Sequence, residues 1–150
     1  MSTDIDSIIQ EVKERIKRHE GFRDMLYKDS LGKATIGWGH LVTPQDKIIE
    51  GVQYSNSFLT EIFEKDFQIA CNNASKLLNG MDISIEAVGV IIEMVFQLGM
   101  TGVSKFKKML DALEKQDYES ASNEMLSSAW AKQTPERCQE LSSIIKNCQN

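Results

Sequence analysis

A chain of 150 residues is long enough for one domain or for two small lobes, and a hydrophobic content of 41% supports a packed core and argues against disorder. With 17 basic against 22 acidic residues the net charge is −5, which excludes general electrostatic attraction to nucleic acid or to an anionic membrane. No run approaches the roughly 18 consecutive apolar residues of a membrane helix. The opening Met1-Ser2-Thr3-Asp4 starts an amphipathic pattern rather than a secretory signal, so no stable membrane binding and a cytoplasmic location are expected. Cys71, Cys138 and Cys148, an odd set without CxxC spacing, read as reduced thiols; a Cys138–Cys148 pair is the alternative.

Ile5, Ile8, Ile9, Val12 and Ile16 follow the spacing of one helical face and predict a helix over residues 4–19, with Ser2, Thr3 or Asp4 as its cap. Gly21 ends it and leaves Glu20 on the last turn. An acid there opposes the negative end of the helix dipole, a local conflict of the kind that functional sites carry. Lys13, Arg15, Lys17, Arg18, Arg23, Lys28 and Lys33 cluster nearby and read mostly as a solvated helix face. Phe22 to Asp29 reads as extended, Ser30-Leu31-Gly32-Lys33 as a turn, and Thr35 to Gly39 as a returning strand whose two glycines allow close backbone approach. Thr43-Pro44 breaks the pattern, and loop with short strand is expected up to Ser55.

From Asn56 the apolar residues fit one long helix ending at Asn79-Gly80. Ser84 or Asp82 can cap the next helix, which is apolar on most sides from Ile85 to Phe96 and should form a buried centre. Gly99 and Gly102 interrupt it. Shorter helices are predicted over 105–115, 117–128 and 135–146, with Thr134 as cap and Pro135 in the first turn of the last. The expected organisation is one domain of mostly helical α+β class. An α+β lobe covers about 20–56, a connecting helix about 57–79 and a helical lobe about 80–150, on which the N-terminal helix packs.

The residues with chemical promise are Glu20, Asp29 and Thr35, two carboxylates and a hydroxyl at a helix end and on a hairpin. Opposed carboxyls in unlike environments are the equipment for breaking a glycosidic bond. One must hold its proton to give it to the leaving oxygen, and the other must stay charged beside an attacking water that a hydroxyl helps to hold. Most exposed carboxylates only solvate, so spacing by itself is modest support. His19 and His40 are the only histidines, and neither shares a helix with a carboxylate at metal-ligand spacing, so neither a metal nor a cofactor is expected. No nucleophile elbow, P-loop or dinucleotide fingerprint is present. His40 reads as structural, bonded to a backbone carbonyl or paired with Asp66. Trp38, Trp130 and Phe96 are candidates for stacking on sugar rings, with core packing as the plainer account of the last two.

At these residues the chain resembles the T-even phage lysozymes of glycoside hydrolase family 24. His19-Glu20-Gly21, Tyr27-Lys28-Asp29 and the run from Thr35 to Leu41 match the family's catalytic blocks in type and spacing. Met94 to Gly99 with Thr101-Gly102-Val103 resembles its central helix. Trp130 with Gln133-Thr134-Pro135 and Arg137 resembles its C-terminal segment. The resemblance implies a lysozyme-like fold with a small β-hairpin lobe and a larger helical lobe joined by a long helix, and a cleft for bacterial peptidoglycan. It implies cleavage of the β-1,4 bond between N-acetylmuramic acid and N-acetylglucosamine, with Glu20 as general acid, Asp29 and Thr35 holding water, and inversion at the sugar carbon. Leu41, Phe96 and Gln97 would contact substrate; Arg137 would pair with the catalytic Glu, and Thr134 and His40 would support the site.

The departures are an early start to the first helix, Glu93 where the family tends to a neutral polar group, and Glu140 where a base is expected. They bear on affinity and salt dependence rather than on the catalytic set. The implied setting is a monomeric phage endolysin in the host cytoplasm, released to the wall by a separate holin. A tail-borne or prophage-encoded wall hydrolase shares the chemistry. A non-catalytic peptidoglycan-binding or inhibitory protein is the alternative of another class, and the presence of Glu20, Asp29 and Thr35 together weighs against it.

Overall fold

The computed structural model describes residues 2–149, with side chains from residue 5 onward; the expected caps Ser2, Thr3 and Asp4 lie outside the described side chains. Among the described residues the order is α1 (Ser2–Glu20), β1 (Arg23–Lys28), β2 (Ala34–Gly37), β3 (His40–Leu41), a 3-10 turn (Pro44–Asp46), α2 (Asn56–Leu78), α3 (Ile85–Ser104), α4 (Lys107–Glu114), α5 (Tyr118–Leu126), α6 (Ala129–Gln133) and α7 (Pro135–Lys146). Two compact units result: Lys13–Ile69, which is α+β, and Met1–Val12 with Ala70–Asn150, which is helical.

In the α+β unit, α1 stops where expected. Gly21 takes φ +73°, a conformation costly for any residue with a Cβ, and its N–H closes on the Lys17 carbonyl at 3.0 Å. Leu59, Phe63 and Phe67, four residues apart on α2, are buried with Ile16 and Ile36. Trp38 joins this cluster, 4.6 Å from the Phe22 ring and 5.7 Å from Phe63. The Lys17 ammonium caps it at 4.5 Å over Trp38 and 4.9 Å over Phe63, a cation over two ring faces. The expected hairpin carries a third strand, giving an antiparallel sheet in the order β1-β2-β3. The second strand ends at Gly37 rather than Gly39. Gly37 and Gly39 both adopt positive φ around Trp38, and the reversal they permit sends His40 and Leu41 back beside β2.

In the helical unit, α2 ends at the expected Asn79-Gly80, both with positive φ. α3 is apolar and long enough to cross a membrane by composition, with mean hydropathy 1.6. Its unbroken buried run from Gly89 to Val95, with Glu93 inside it, is that of a core helix. Gly99 breaks the helix at φ 78°, ψ 165°, whereas Gly102 stays helical, a correction to the expected double interruption. Two expected caps are also corrected. Ser84 stands before α3 without capping it, its hydroxyl turned to Glu86 and its N–H given to the Tyr118 hydroxyl at 2.8 Å. Thr134 precedes α7 without capping it, because its hydroxyl oxygen accepts from Gln97. The segment between α5 and α7 holds the unforeseen α6, capped by Ser128 through the Ala131 N–H. The cysteines are free thiols; Cys138 and Cys148 are buried and bond to the carbonyls of Met125 and Ile144, and burial pushes both thiols up.

Arg137 Nε donates to Glu93 Oε2 at 2.8 Å, joining α7 to α3 through a pair of which the glutamate is wholly shielded from solvent. A buried pair broken on one side leaves a charge without its counterpart, at a cost of about 3–5 kcal/mol. Glu93→Ala is therefore expected to lower the urea unfolding free energy by about that amount, and Glu93→Leu combined with Arg137→Met to recover most of it. Strictly additive losses in the double variant would contradict this.

Candidate active site

Glu20 is the last residue of α1, half-buried, and its carboxyl stands against Gly39. A Cβ at Gly39 would overlap Glu20 Oε1 and lie 2.8 Å from Cδ. Glycine is required there twice over, by φ +75° and by the carboxyl that occupies the side-chain space. The close approach foreseen for the glycines of this stretch is to a neighbouring acid, and Gly39 is a site residue that pattern reading did not single out.

Asp29 and Thr35 are tied to each other through one peptide unit. Asp29 Oδ1 accepts from the N–H groups of Leu31 at 2.9 Å and Lys33 at 2.8 Å. The Thr35 hydroxyl donates to the Lys33 carbonyl at 2.9 Å. The Asp29 N–H also bonds that carbonyl, and Gly32, with φ +78°, returns its N–H to the Asp29 carbonyl. Asp29 is thus a turn-forming aspartate of familiar kind. Only one of its oxygens does that work; among the described residues nothing bonds Oδ2. Thr35 is buried in the middle of the sheet, opposite Tyr27 on β1 and Leu41 on β3. Its hydroxyl has given its hydrogen away and offers only lone pairs. Leu41 is half exposed on β3.

His40 spends both ring nitrogens on carboxylates. Nδ1 lies 2.6 Å from Asp66 Oδ2 on α2, and Nε2 lies 3.0 Å from Asp46 Oδ2 in the 3-10 turn. The bond to Asp66 outweighs the opposing effect of burial, and Asp46 adds to it, so the imidazole pKa is pushed up to about 9. Asp46 Oδ2 also accepts from the Thr43 N–H at 2.7 Å. The imidazolium therefore clamps β3, the 43–46 turn and α2 together and is not available as a base. The pairing with Asp66 is the one expected; Asp46 had given no signal beyond its closeness in sequence.

The other predicted residues belong to the helical unit. Gln97 Oε1 accepts from the Trp130 indole at 2.9 Å, and its Nε2 donates to Thr134 Oγ1 at 3.3 Å. Trp130 is buried, edge-on to Phe106 at 6.1 Å, which is the core-packing role. Phe96 is half-buried on α3. Arg137 bonds to Glu93, a residue that reading of the sequence had marked only as unusual.

Residues 17–145 match the family model described as phage lysozyme. The chain is 32% identical to a protein of Dictyostelium discoideum named probable T4-type lysozyme 2, over 93% of this chain and 95% of that one. A second from the same organism, probable T4-type lysozyme 1, is 30% identical over the same shares. The pre-baseplate central spike protein Gp5 of Enterobacteria phage T4 is 31% identical over 88% of this chain and 27% of its own length.

Two outcomes follow. Gly39→Ala should cost about 1–3 kcal/mol of unfolding free energy, and the cost should shrink in a Glu20→Ala background, where only the backbone strain remains; equal costs in both backgrounds would refute the contact. His40, with its pKa raised from 6.5, contributes stability that is full below about pH 6.5 and lost as pH rises through about 9. The advantage of the native chain over Asp66→Asn, roughly 2 kcal/mol at pH 6, should fade by pH 10. A ring titration by NMR with its midpoint near 6.5 would contradict the clamp.

Proposed function

This chain belongs to the phage lysozyme family, a family of glycoside hydrolases acting on peptidoglycan, and on that footing we propose how its residues do so. The bond broken is the β-1,4 link between N-acetylmuramic acid and N-acetylglucosamine. Glu20 gives its proton to the leaving glycosidic oxygen. A water molecule gives one hydrogen bond to Asp29 Oδ2 and one to Thr35 Oγ1, and its lone pair attacks the anomeric carbon from the opposite face, inverting it. The proton released by that water passes to Asp29.

The observation that carries this reading is the division of labour at Lys33. The turn consumes Asp29 Oδ1 and the Thr35 hydrogen, and leaves two acceptors directed by one rigid peptide. Two acceptors orient both water hydrogens and free the oxygen lone pair for attack, whereas a donating threonine would compete for that lone pair. Leu41, paired with Thr35 across the sheet, packs on the sugar.

The setting proposed is a monomeric endolysin made in the bacterial cytoplasm and admitted to the wall by a holin. The match to a spike protein supports a second setting, a wall-cutting module of a phage tail, with the same chemistry.

Purified chain should clear suspensions of outer-membrane-permeabilised bacteria and release reducing ends. Glu20→Gln and Asp29→Asn should each lose at least about a hundredfold in rate, and Thr35→Val, which removes one of the two acceptors but keeps the shape, about tenfold or more. The first product should be the α-anomer. A β-anomer would overturn inversion, and undiminished clearing by Glu20→Gln would overturn the assignment of the acid.

A further inference from the structure

The α+β unit holds a groove apart from Glu20, Asp29 and Thr35. It has a volume of about 420 Å³ and is lined by Phe22, Asp24, Gln53, Tyr54, Ser55 and Asn56. The segment leading into α2 builds it. The Tyr54 N–H bonds to the Asp24 carbonyl at 2.9 Å, and Gln53 Nε2 bonds to Asp24 Oδ2 at 2.7 Å, so the segment is held alongside β1. The Tyr54 hydroxyl accepts from the Ile49 N–H at 2.8 Å, and its ring stacks on Phe58 at 5.3 Å, which fixes the ring. Phe22 stands 40% exposed beside them, its ring held by Trp38.

We propose that this groove is an accessory binding site for an N-acetylhexosamine of the glycan strand, separate from the residues that cut it. The exposed ring of Phe22, with the half-buried ring of Tyr54 beside it, offers a face for the C–H side of a pyranose. Around it the polar groups have capacity left. Asp24 keeps Oδ1 and Gln53 keeps its amide oxygen as acceptors for sugar hydroxyls. Asn56 Oδ1 is engaged by the Thr60 hydroxyl at 3.2 Å, which turns the amide nitrogen into the free end, a donor for an acetamido or ring-substituent oxygen. At the start of α2 the backbone N–H groups of Asn56 and Ser57 add donors with no acceptor inside the helix, that of Phe58 being taken by Ser55 Oγ at 3.1 Å. No cation lines the groove and Asp24 does, so a neutral sugar fits and an anionic peptide carboxylate does not. An acid residue that serves no catalytic step and five polar or aromatic neighbours thereby acquire one role: keeping a long, insoluble strand on the enzyme while one of its links is cut.

The ligand class rests on the muramidase reading, so the test separates the two. Isotope-labelled Glu20→Gln chain is titrated with N,N′,N″-triacetylchitotriose and followed by amide NMR shifts. Shifts at Asp24, Gln53, Tyr54 and Asn56 are expected, with an affinity roughly tenfold weaker when Gln53→Ala and Asn56→Ala are added. The same double substitution in the active chain should raise the enzyme concentration needed to clear insoluble walls and leave cleavage of short soluble fragments unchanged. Shifts absent from these four residues, or unaltered by the double substitution, would overturn the groove even if walls are cleared. Failure of the native chain to release reducing ends would overturn the muramidase reading, and the titration would still decide the groove.

Discussion

Glu20 ends a helix with its carboxyl set against a residue that has no side chain, and the local architecture of the α+β unit follows from the need to keep it there. α1 can stop abruptly only because Gly21 turns the chain at positive φ. The carboxyl finds room only because Gly39 supplies bare backbone in a conformation other residues avoid. Gly39 is delivered by the reversal between β2 and β3, and that reversal is held from behind by Trp38 in its aromatic stack with Phe22 and Phe63. Packing energy spread over several rings thus fixes one titratable group, which is the usual way a marginally stable fold holds a demanding site.

Charge reinforces the same region. The His40 imidazolium, gripped by Asp66 and Asp46, fixes the strand next to Gly39 to α2 and to the turn that follows. Each carboxylate alone would be an ordinary partner. Together they keep the ring cationic well above its normal range, so the strand is pinned by a charge rather than by its own two-residue length. On the other side of β2 the pinning is done by backbone geometry, with Lys33 held by Asp29 and Thr35. The helical unit solves a related problem in its own core. Glu93, in the most buried stretch of α3, is tolerable there because Arg137 on α7 meets it, and Gln97 one turn further is matched by Trp130 and Thr134. A tidy row of polar residues along an apolar helix is therefore accounted for by partners from the C-terminal segments.

Much of this was legible in the residues alone. The period of Ile8, Val12 and Ile16, the stop at Gly21, the helix from Asn56 to the Asn79-Gly80 pair and the Pro135 helix start are local signals, and local signals survive folding. The blocks around Glu20, Asp29 and Thr35 carried the resemblance to the family by their types, order and spacing. Local reading missed α6 and the third strand, expected a break at Gly102, and misassigned two hydroxyls: Ser84 and Thr134 stand where caps stand, yet their oxygens are spent on Glu86 and Gln97. A cap position is a matter of sequence, but the partner that a hydroxyl prefers is decided by whatever the fold brings near it.

By itself, then, the order of residues determined most of the elements, the mostly helical α+β class and the family. Tertiary structure decided which glycine makes room for Glu20, that Asp46 joins Asp66 on His40, that Glu93 faces Arg137, and that residues 22–24 and 53–56 line one groove. The division has a physical reason. Secondary structure and turn chemistry depend on neighbours a few residues away, whereas contacts between residues 19, 26 or 44 positions apart exist only after the backbone has brought them within the short reach of a hydrogen bond or a van der Waals surface.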